Sequence, residues 1–273
     1  MIDTAIAGLV DILGYESMVE RHMDNLDLIQ GIETLLEQST VGIIEKLKDV
    51  ALDGVFGSPV IEDYYNNIVD AISIQFISDT ILFILQFSKM RFWPSIYTEE
   101  ETISHHIHLY LTLFSNFCTL FMAKTGLLLR GGVSIGPHYE GVSSRRGNNF
   151  FVFSKAYINA HNLEQAAEKP RIIIDDEMWS YLKEISFDGI SRYFYKDGDG
   201  RNCFEFYCFL RRDEHSRGVL TDIKRGLRKN LETNEGNREI LTKLIYFAEY
   251  HNSRVARDKL DCEQLAVDYR KWE

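Results

Sequence analysis

Val10-Asp11-Ile12-Leu13-Gly14-Tyr15 closes an apolar run that begins at Ile6. A short run of this kind, ended by glycine, predicts a buried central strand that stops in a tight turn. Asp11 interrupts it. An ionisable side chain in an apolar strand is costly to bury unless it is paired or ligated, so this position needs a partner.

A second carboxylate stands in Ile74-Gln75-Phe76-Ile77-Ser78-Asp79. Ile72, Ile74 and Phe76 alternate before it and Ile81, Phe83 and Leu85 after it, which predicts a β-hairpin with Asp79 at its tip. Two such carboxylates, if the fold brought them together, would supply the hard oxygen ligands that two-metal phosphoryl or nucleotidyl transfer requires.

Outward from these motifs, apolar residues recur at helical spacing between Ser17 and Leu52 (Leu28, Ile32, Leu35 and Leu36, then Ile43, Ile44 and Leu47), predicting two helices, with a loop at Gly54 to Pro59. Glu99 to Lys124 reads as a long helix ended by Gly126, and Leu127 to Ile135 as a buried strand. A strand at Phe150 to Phe153, a helix at Ala156 to Ala167 with Ala156, Ala160, Leu163 and Ala167 on one face, and a strand at Arg171 to Ile174 follow. The chain then predicts a helix near Trp179, a hairpin pairing Tyr193 to Tyr195 with Phe204 to Phe209, and a charged helical tail from Ser216. The simplest account is one α+β domain with a helical C-terminal extension.

Thirty basic against 41 acidic residues give a formal charge of -11, with no long basic run, which argues against a nucleic-acid partner. Cys118, Cys203, Cys208 and Cys262 show neither zinc-site spacing nor the density of a disulfide scaffold. No basic segment precedes an apolar core at the start, and the longest apolar stretch, Leu109 to Leu129, is broken by Ser115, Asn116 and Lys124. The expectation is a soluble cytoplasmic protein without membrane insertion. His105, His106 and His108 do not share one helical face and read as surface histidines rather than a metal site. Asp197-Gly198-Asp199-Gly200 lacks the closing Glu of a calcium loop and reads as a hairpin turn.

The stretch Asp11-Ile12-Leu13-Gly14-Tyr15 resembles the first strand and turn of class III nucleotide cyclases, and Ile74 to Asp79 resembles their metal-binding hairpin, with Ser78 in place of the usual Gly. Leu129 to Pro137 is similar to the family strand ending in Gly-Ile-x-x-Gly-Pro. Phe151 to Glu177 is similar to the following strand, helix and strand, with Ala156-Tyr157, Ala160-His161, Leu163-Glu164 and Asp176-Glu177 as landmarks. Together these cover Ile6 to Trp179. The resemblance implies a central, mostly antiparallel sheet flanked by helices, a catalytic domain over 1–185 and a hairpin and helical extension over 186–273 packed on it. It also implies two divalent ions, Mg²⁺ or Mn²⁺, held by Asp11, Asp79 and the Ile12 carbonyl. The backbone of Ile12, Leu13, Gly14 and Tyr15 would then face the nucleotide phosphates.

The sequence departs from the purine cyclases where the base is read. Adenylate cyclases carry a Lys four residues before the second metal Asp; Gln75 stands here, and Phe151 occupies the partner position. The family's transition-state Asn falls at Ile158 and its Arg at Asn162, although a one-residue slip brings in Asn159. Cationic help is then left to Arg130, Lys155, Arg145 or Arg146, with Arg130 taken as the catalytic candidate. Aromatics at Phe150, Phe151, Phe153 and Tyr157 would narrow a base pocket, and Gln75 offers both an amide donor and an acceptor.

These departures resemble the bacterial Pycsar pyrimidine cyclases of antiphage defence. The resemblance implies a homodimer with shared sites that cyclises UTP to cyclic UMP for an effector protein. CTP is the alternative substrate, and a purine cyclase or a catalytically dead nucleotide-binding dimerisation module are the other readings.

Overall fold

The computed structural model describes residues 2–22, 70–91, 97–143, 149–210, 213–257 and 262–272, with positions 26, 30, 31, 34 and 67 between the first two segments. Apart from positions 26, 30, 31 and 34, which are helical, the helices expected from Ser17 to Leu52 lie outside these residues beyond residue 22, as do the loop at Gly54 to Pro59 and Arg145 and Arg146.

Strand β1 (Asp3–Leu13) is followed directly by helix α1 (Tyr15–His22), with Gly14 at φ 83 making the turn. β2 (Ile72–Ile77) and β3 (Thr80–Gln86) form the expected hairpin. Its loop is two residues long, and Ser78, the first of them, has φ 61. A left-handed first position is what a type II′ turn requires, which explains why glycine is the expected residue there.

Helix α2 (Glu99–Thr125) starts on a capping box, with Thr98 and Glu101 exchanging side-chain to backbone hydrogen bonds, and stops at Gly126 in the left-handed region. β4 (Leu128–Ser143) runs past the expected end at Ile135. β5 (Asn149–Ser154), α3 (Lys155–Gln165), β6 (Ile172–Ile174), α4 (Asp176–Glu184), a single turn α5 (Ile190–Tyr193), β7 (Phe194–Lys196) and β8 (Asn202–Phe204) complete the sheet region. The helices α6 (Glu214–Thr233), α7 (Arg238–Arg257) and α8 (Cys262–Leu265) follow.

The sheet order is β2-β3-β1-β4-β6-β8-β7, with β5 pairing β4. Every pairing is antiparallel except β4 with β6. Because side chains alternate across a strand, the two faces separate cleanly. Ile6, Val10, Phe83 and Leu85 pack with Tyr110, Phe114 and Phe117 of α2 in the main core, while Ala5, Ala7, Leu9, Leu82 and Ile84 pack with Ala156 and Ala160 of α3. The fold is thus α+β, with a central, mostly antiparallel sheet flanked by helices.

Glycine sets how closely α3 approaches. A methyl group at Gly132 would sit 2.3 Å from the Ala160 carbonyl oxygen and 2.5 Å from Leu163 Cβ, so only glycine lets the helix lie this near β4.

Two expectations need correction. The second strand of the C-terminal hairpin is 202–204, not Phe204 to Phe209. From Glu205 onward the backbone bonds elsewhere: Phe206 N–H donates to the Tyr250 hydroxyl, and its carbonyl accepts from Ser115 and Thr119. These partners replace a sheet ladder. The histidines of α2 are not surface residues as a group: His106 is fully buried with Nδ1 2.7 Å from the Thr102 carbonyl, and His108 contacts Asp188 and Tyr193.

The charged tail buries a stripe of its own. Val219, Leu220, Ile223, Leu227 and Leu231 of α6 face the core, and α6 crosses α2 where Gly226 meets Gly126. No helix among the described residues is long and apolar enough to cross a membrane.

His251 of α7 is fully buried, with Nε2 3.0 Å from the Leu265 carbonyl and Nδ1 3.0 Å from the Tyr207 hydroxyl. A carbonyl can only accept, so Nε2 carries the hydrogen and Nδ1 accepts from Tyr207. Burial depresses the pKa of His251 to about 4. The unfolded chain, with a histidine pKa of about 6.5, therefore binds the proton more tightly. The neutral ring's contribution is complete above pH ~6.5 and is lost as pH falls towards 4, on the order of 3 kcal/mol in all. Melting temperatures of the parent should consequently fall more steeply between pH 7 and pH 5 than those of His251→Gln; parallel curves would refute this.

Candidate active site

The two aspartates meet at one end of the sheet. Asp11 is paired in register with Thr80 of β3 on one side and Arg130 of β4 on the other. Directly opposed residues of an antiparallel pair share a face, so Asp11 and Arg130 both project towards α3. The Ile12 N–H donates to the Asp79 carbonyl at 2.9 Å and ties the hairpin tip to β1.

Burial pushes the Asp11 carboxyl above the ordinary aspartate range; Arg130 opposes that rise and the adjacent Asp79 carboxylate adds to it. Arg130 Nε donates to Asp11 Oδ2 at 2.9 Å and lies 2.8 Å from Glu164 Oε1. Glu164, near the end of α3, is also pushed upward, first by burial and then by the Asp11 charge, against the pull of Arg130. Two carboxylates thus flank one guanidinium, and that of Asp79 lies beside Asp11. The excess negative charge favours a further cation.

The donor set fits Mg²⁺ or Mn²⁺ in part. Among the described residues no group of three or more His, Cys, Asp or Glu side chains converges on a metal position. Two aspartates supply hard oxygen ligands, and such ions are commonly held by one or two carboxylates with substrate phosphates and water completing the shell.

Of the other residues singled out from sequence, Ile12 is buried in the main core, and Leu13 and Tyr15 are partly buried and pack against it. Gly14 forms the turn into the N-terminus of α1, where backbone N–H groups are unpaired by the helix. Gln75 lies on the same sheet face as Asp11, in register with Leu82, which in turn pairs with Leu9. Phe151 lies on β5 opposite Gly141, and its side chain, like that of Phe150, is outside the described residues. Phe153 is 71% exposed and Ile158 56% exposed. Tyr157 stacks on His161.

Glu164 stands in the sequence as half of the Leu163-Glu164 pair, with no site role attached to it. Its signal was available: a carboxylate one turn beyond Ala160 on the apolar stripe of α3 has to meet a cation.

No family model matches the chain, and no curated protein matches it. Solved structures do. The guanylyl cyclase domain of the RhoGC fusion protein from the aquatic fungus Blastocladiella emersonii aligns at 11% identity and TM-score 0.43, over 75% of this chain and 95% of its own. The guanylate cyclase domain of RhGC from Catenaria anguillulae, in complex with GTP, aligns at 12% identity and TM-score 0.41, over 74% and 95%. The adenylyl cyclase CyaB from P. aeruginosa aligns at 16% identity and TM-score 0.36, over 67% and 82%. Similarity of this degree assigns no chemistry, which rests on the residues themselves.

Proposed function

We propose that this chain is a metal-dependent pyrimidine nucleotide cyclase that converts UTP to 3′,5′-cyclic UMP and pyrophosphate, a signal for an effector protein in antiphage defence. The observation that carries the reading is the meeting of Asp11 and Asp79 at the end of β1 and the β2–β3 turn, beside a helix N-terminus.

Two divalent ions held by these aspartates would lower the pKa of the ribose 3′-hydroxyl and offset the triphosphate charge. The 3′-oxygen forms its bond to the α-phosphorus in line as the bond to the pyrophosphate oxygen breaks, and the hydroxyl proton goes to solvent. The N–H groups that follow Leu13 receive the phosphates, and Gly14, lacking a side chain, permits their approach. Arg130 makes its hydrogen bond to Asp11 through Nε, and its terminal nitrogens form a fork suited to a phosphate oxygen pair. Gln75 reads the edge of the pyrimidine. In the proposed homodimer, Gln75 and Phe151 of one subunit face the nucleotide held by the other's aspartates.

The test is a panel of ATP, GTP, CTP and UTP, each incubated separately with Mn²⁺ and the products resolved. UTP is expected to yield cyclic UMP and pyrophosphate. Cyclic CMP from CTP instead would move the substrate to cytosine, and a purine product would overturn the base assignment. The competing reading is a nucleotide-binding module without catalysis, favoured by the exposed apolar Ile158 at the position where the family resemblance expects Asn. It would prevail if no nucleotide yielded a cyclic product.

A further inference from the structure

Glu164 is buried to a degree that calls for an explanation. Its side chain is 3% exposed, against 15% for Asp11 and 24% for Arg130. A carboxylate held this far from water is retained only with compensating partners. Oε2 has two, the Gln165 amide at 2.6 Å and His161 Nδ1 at 3.5 Å. Oε1 is different: it lies 2.8 Å from Arg130 Nε yet receives no hydrogen bond.

The reason is stoichiometric. Arg130 Nε carries one hydrogen, and that hydrogen is directed at Asp11 Oδ2, 2.9 Å away. One N–H therefore stands between two carboxylates and satisfies one of them. A small rotation of the guanidinium would hand it to Glu164 and release Asp11. The side chain would move little, because Glu164 is held in place by α3, which Gly132 allows to lie against β4.

We propose that Glu164 is a positioning residue that provides Arg130 with a second seat, accepting its Nε–H when Asp11 turns to a divalent cation. The inference rests on the proposed metal role of Asp11. Without the second seat, Arg130 has only Asp11 to bond through Nε and competes with the metal for that carboxylate. With it, the arginine stays charged, buried at its stem and fixed beside the phosphates while Asp11 is freed.

The experiment is Mn²⁺ binding to the nucleotide-free protein, followed by isothermal titration calorimetry, alongside thermal melting. Glu164→Gln keeps the volume and removes the charge. Glu164→Asp keeps the charge and withdraws the oxygen from Nε by one methylene. Both are expected to weaken Mn²⁺ binding about tenfold, within the range of coupling between groups of one network. Unchanged Mn²⁺ affinity in a folded Glu164→Asp protein overturns the inference, since a general charge effect would leave that variant like the parent. If Glu164→Gln does not fold, Glu164→Asp decides alone. A parent whose Mn²⁺ binding is insensitive to Asp11→Asn would instead remove the metal reading of Asp11, and the inference with it.

Discussion

Asp79→Ala is expected to abolish cyclic-nucleotide formation to within assay limits, a loss of about three orders of magnitude or ~4 kcal/mol of transition-state stabilisation, while the protein folds and melts like the parent. The two halves of this expectation have separate sources. The bond that ties the hairpin tip to β1 runs from the Ile12 N–H to the Asp79 backbone carbonyl, which alanine retains. The carboxylate is partly exposed at a two-residue turn and faces the like charge of Asp11, so its removal strands no cation. Asp11 would remain, paired with Arg130, and one carboxylate cannot hold both ions in register. Gln75→Ala should sharply lower UTP turnover in the same assay, because the base is then no longer held by its edge. If the sites are shared across a dimer, mixing Asp79→Ala with Gln75→Ala should recover part of the activity, because one of the two sites in the mixed dimer is then intact. Activity within tenfold of the parent in Asp79→Ala would exclude the two-aspartate mechanism, and no recovery on mixing would exclude shared sites.

The second large effect is on stability. Glu205 is 1% exposed and its carboxylate collects the Tyr250 hydroxyl, Arg254 at 2.9 Å and Arg257 at 3.1 Å. Arg254 itself is 13% exposed and lies 4.4 Å over the Tyr195 ring. Glu205→Ala would strand this guanidinium beside aromatic rings with no counter-charge. Breaking a buried pair from one side costs roughly 3–5 kcal/mol, which for a chain of this size lowers the melting temperature by roughly 10 °C. The paired variant Glu205→Ala with Arg254→Met should recover much of the loss, because it removes the orphaned charge as well. Glu205 follows β8 and its partners are on α7, so this experiment also tests the expectation that residues 186–273 pack on the same unit as the sheet. A melting temperature unchanged in Glu205→Ala would count against it.

The legible parts of this protein were those set by nearest neighbours. Alternation of Ile72, Ile74 and Phe76 against Ile81, Phe83 and Leu85 placed the hairpin and its tip. The helix expected over Glu99 to Lys124, closed by Gly126, matches α2 to within a residue, and Thr98 and Glu101 form the capping box at its start. Such signals arise because period and capping act within a few residues, whatever the rest of the chain does. The end of β8 was misread for the same reason: Phe204 to Phe209 has strand composition, but the hydroxyls of Ser115, Thr119 and Tyr250 claimed its backbone groups from other elements.

By itself the sequence determined that Asp11 sits in a strand with no local partner and that Asp79 sits at a turn. That both belong to one site follows from strand order, which puts β1 between β3 and β4. Tertiary structure alone decided that Arg130, 119 positions from Asp11, stands with its Nε between that carboxylate and Glu164. A buried charge must find its counter-charge wherever packing brings one, and here the close approach of α3 over Gly132 made the choice.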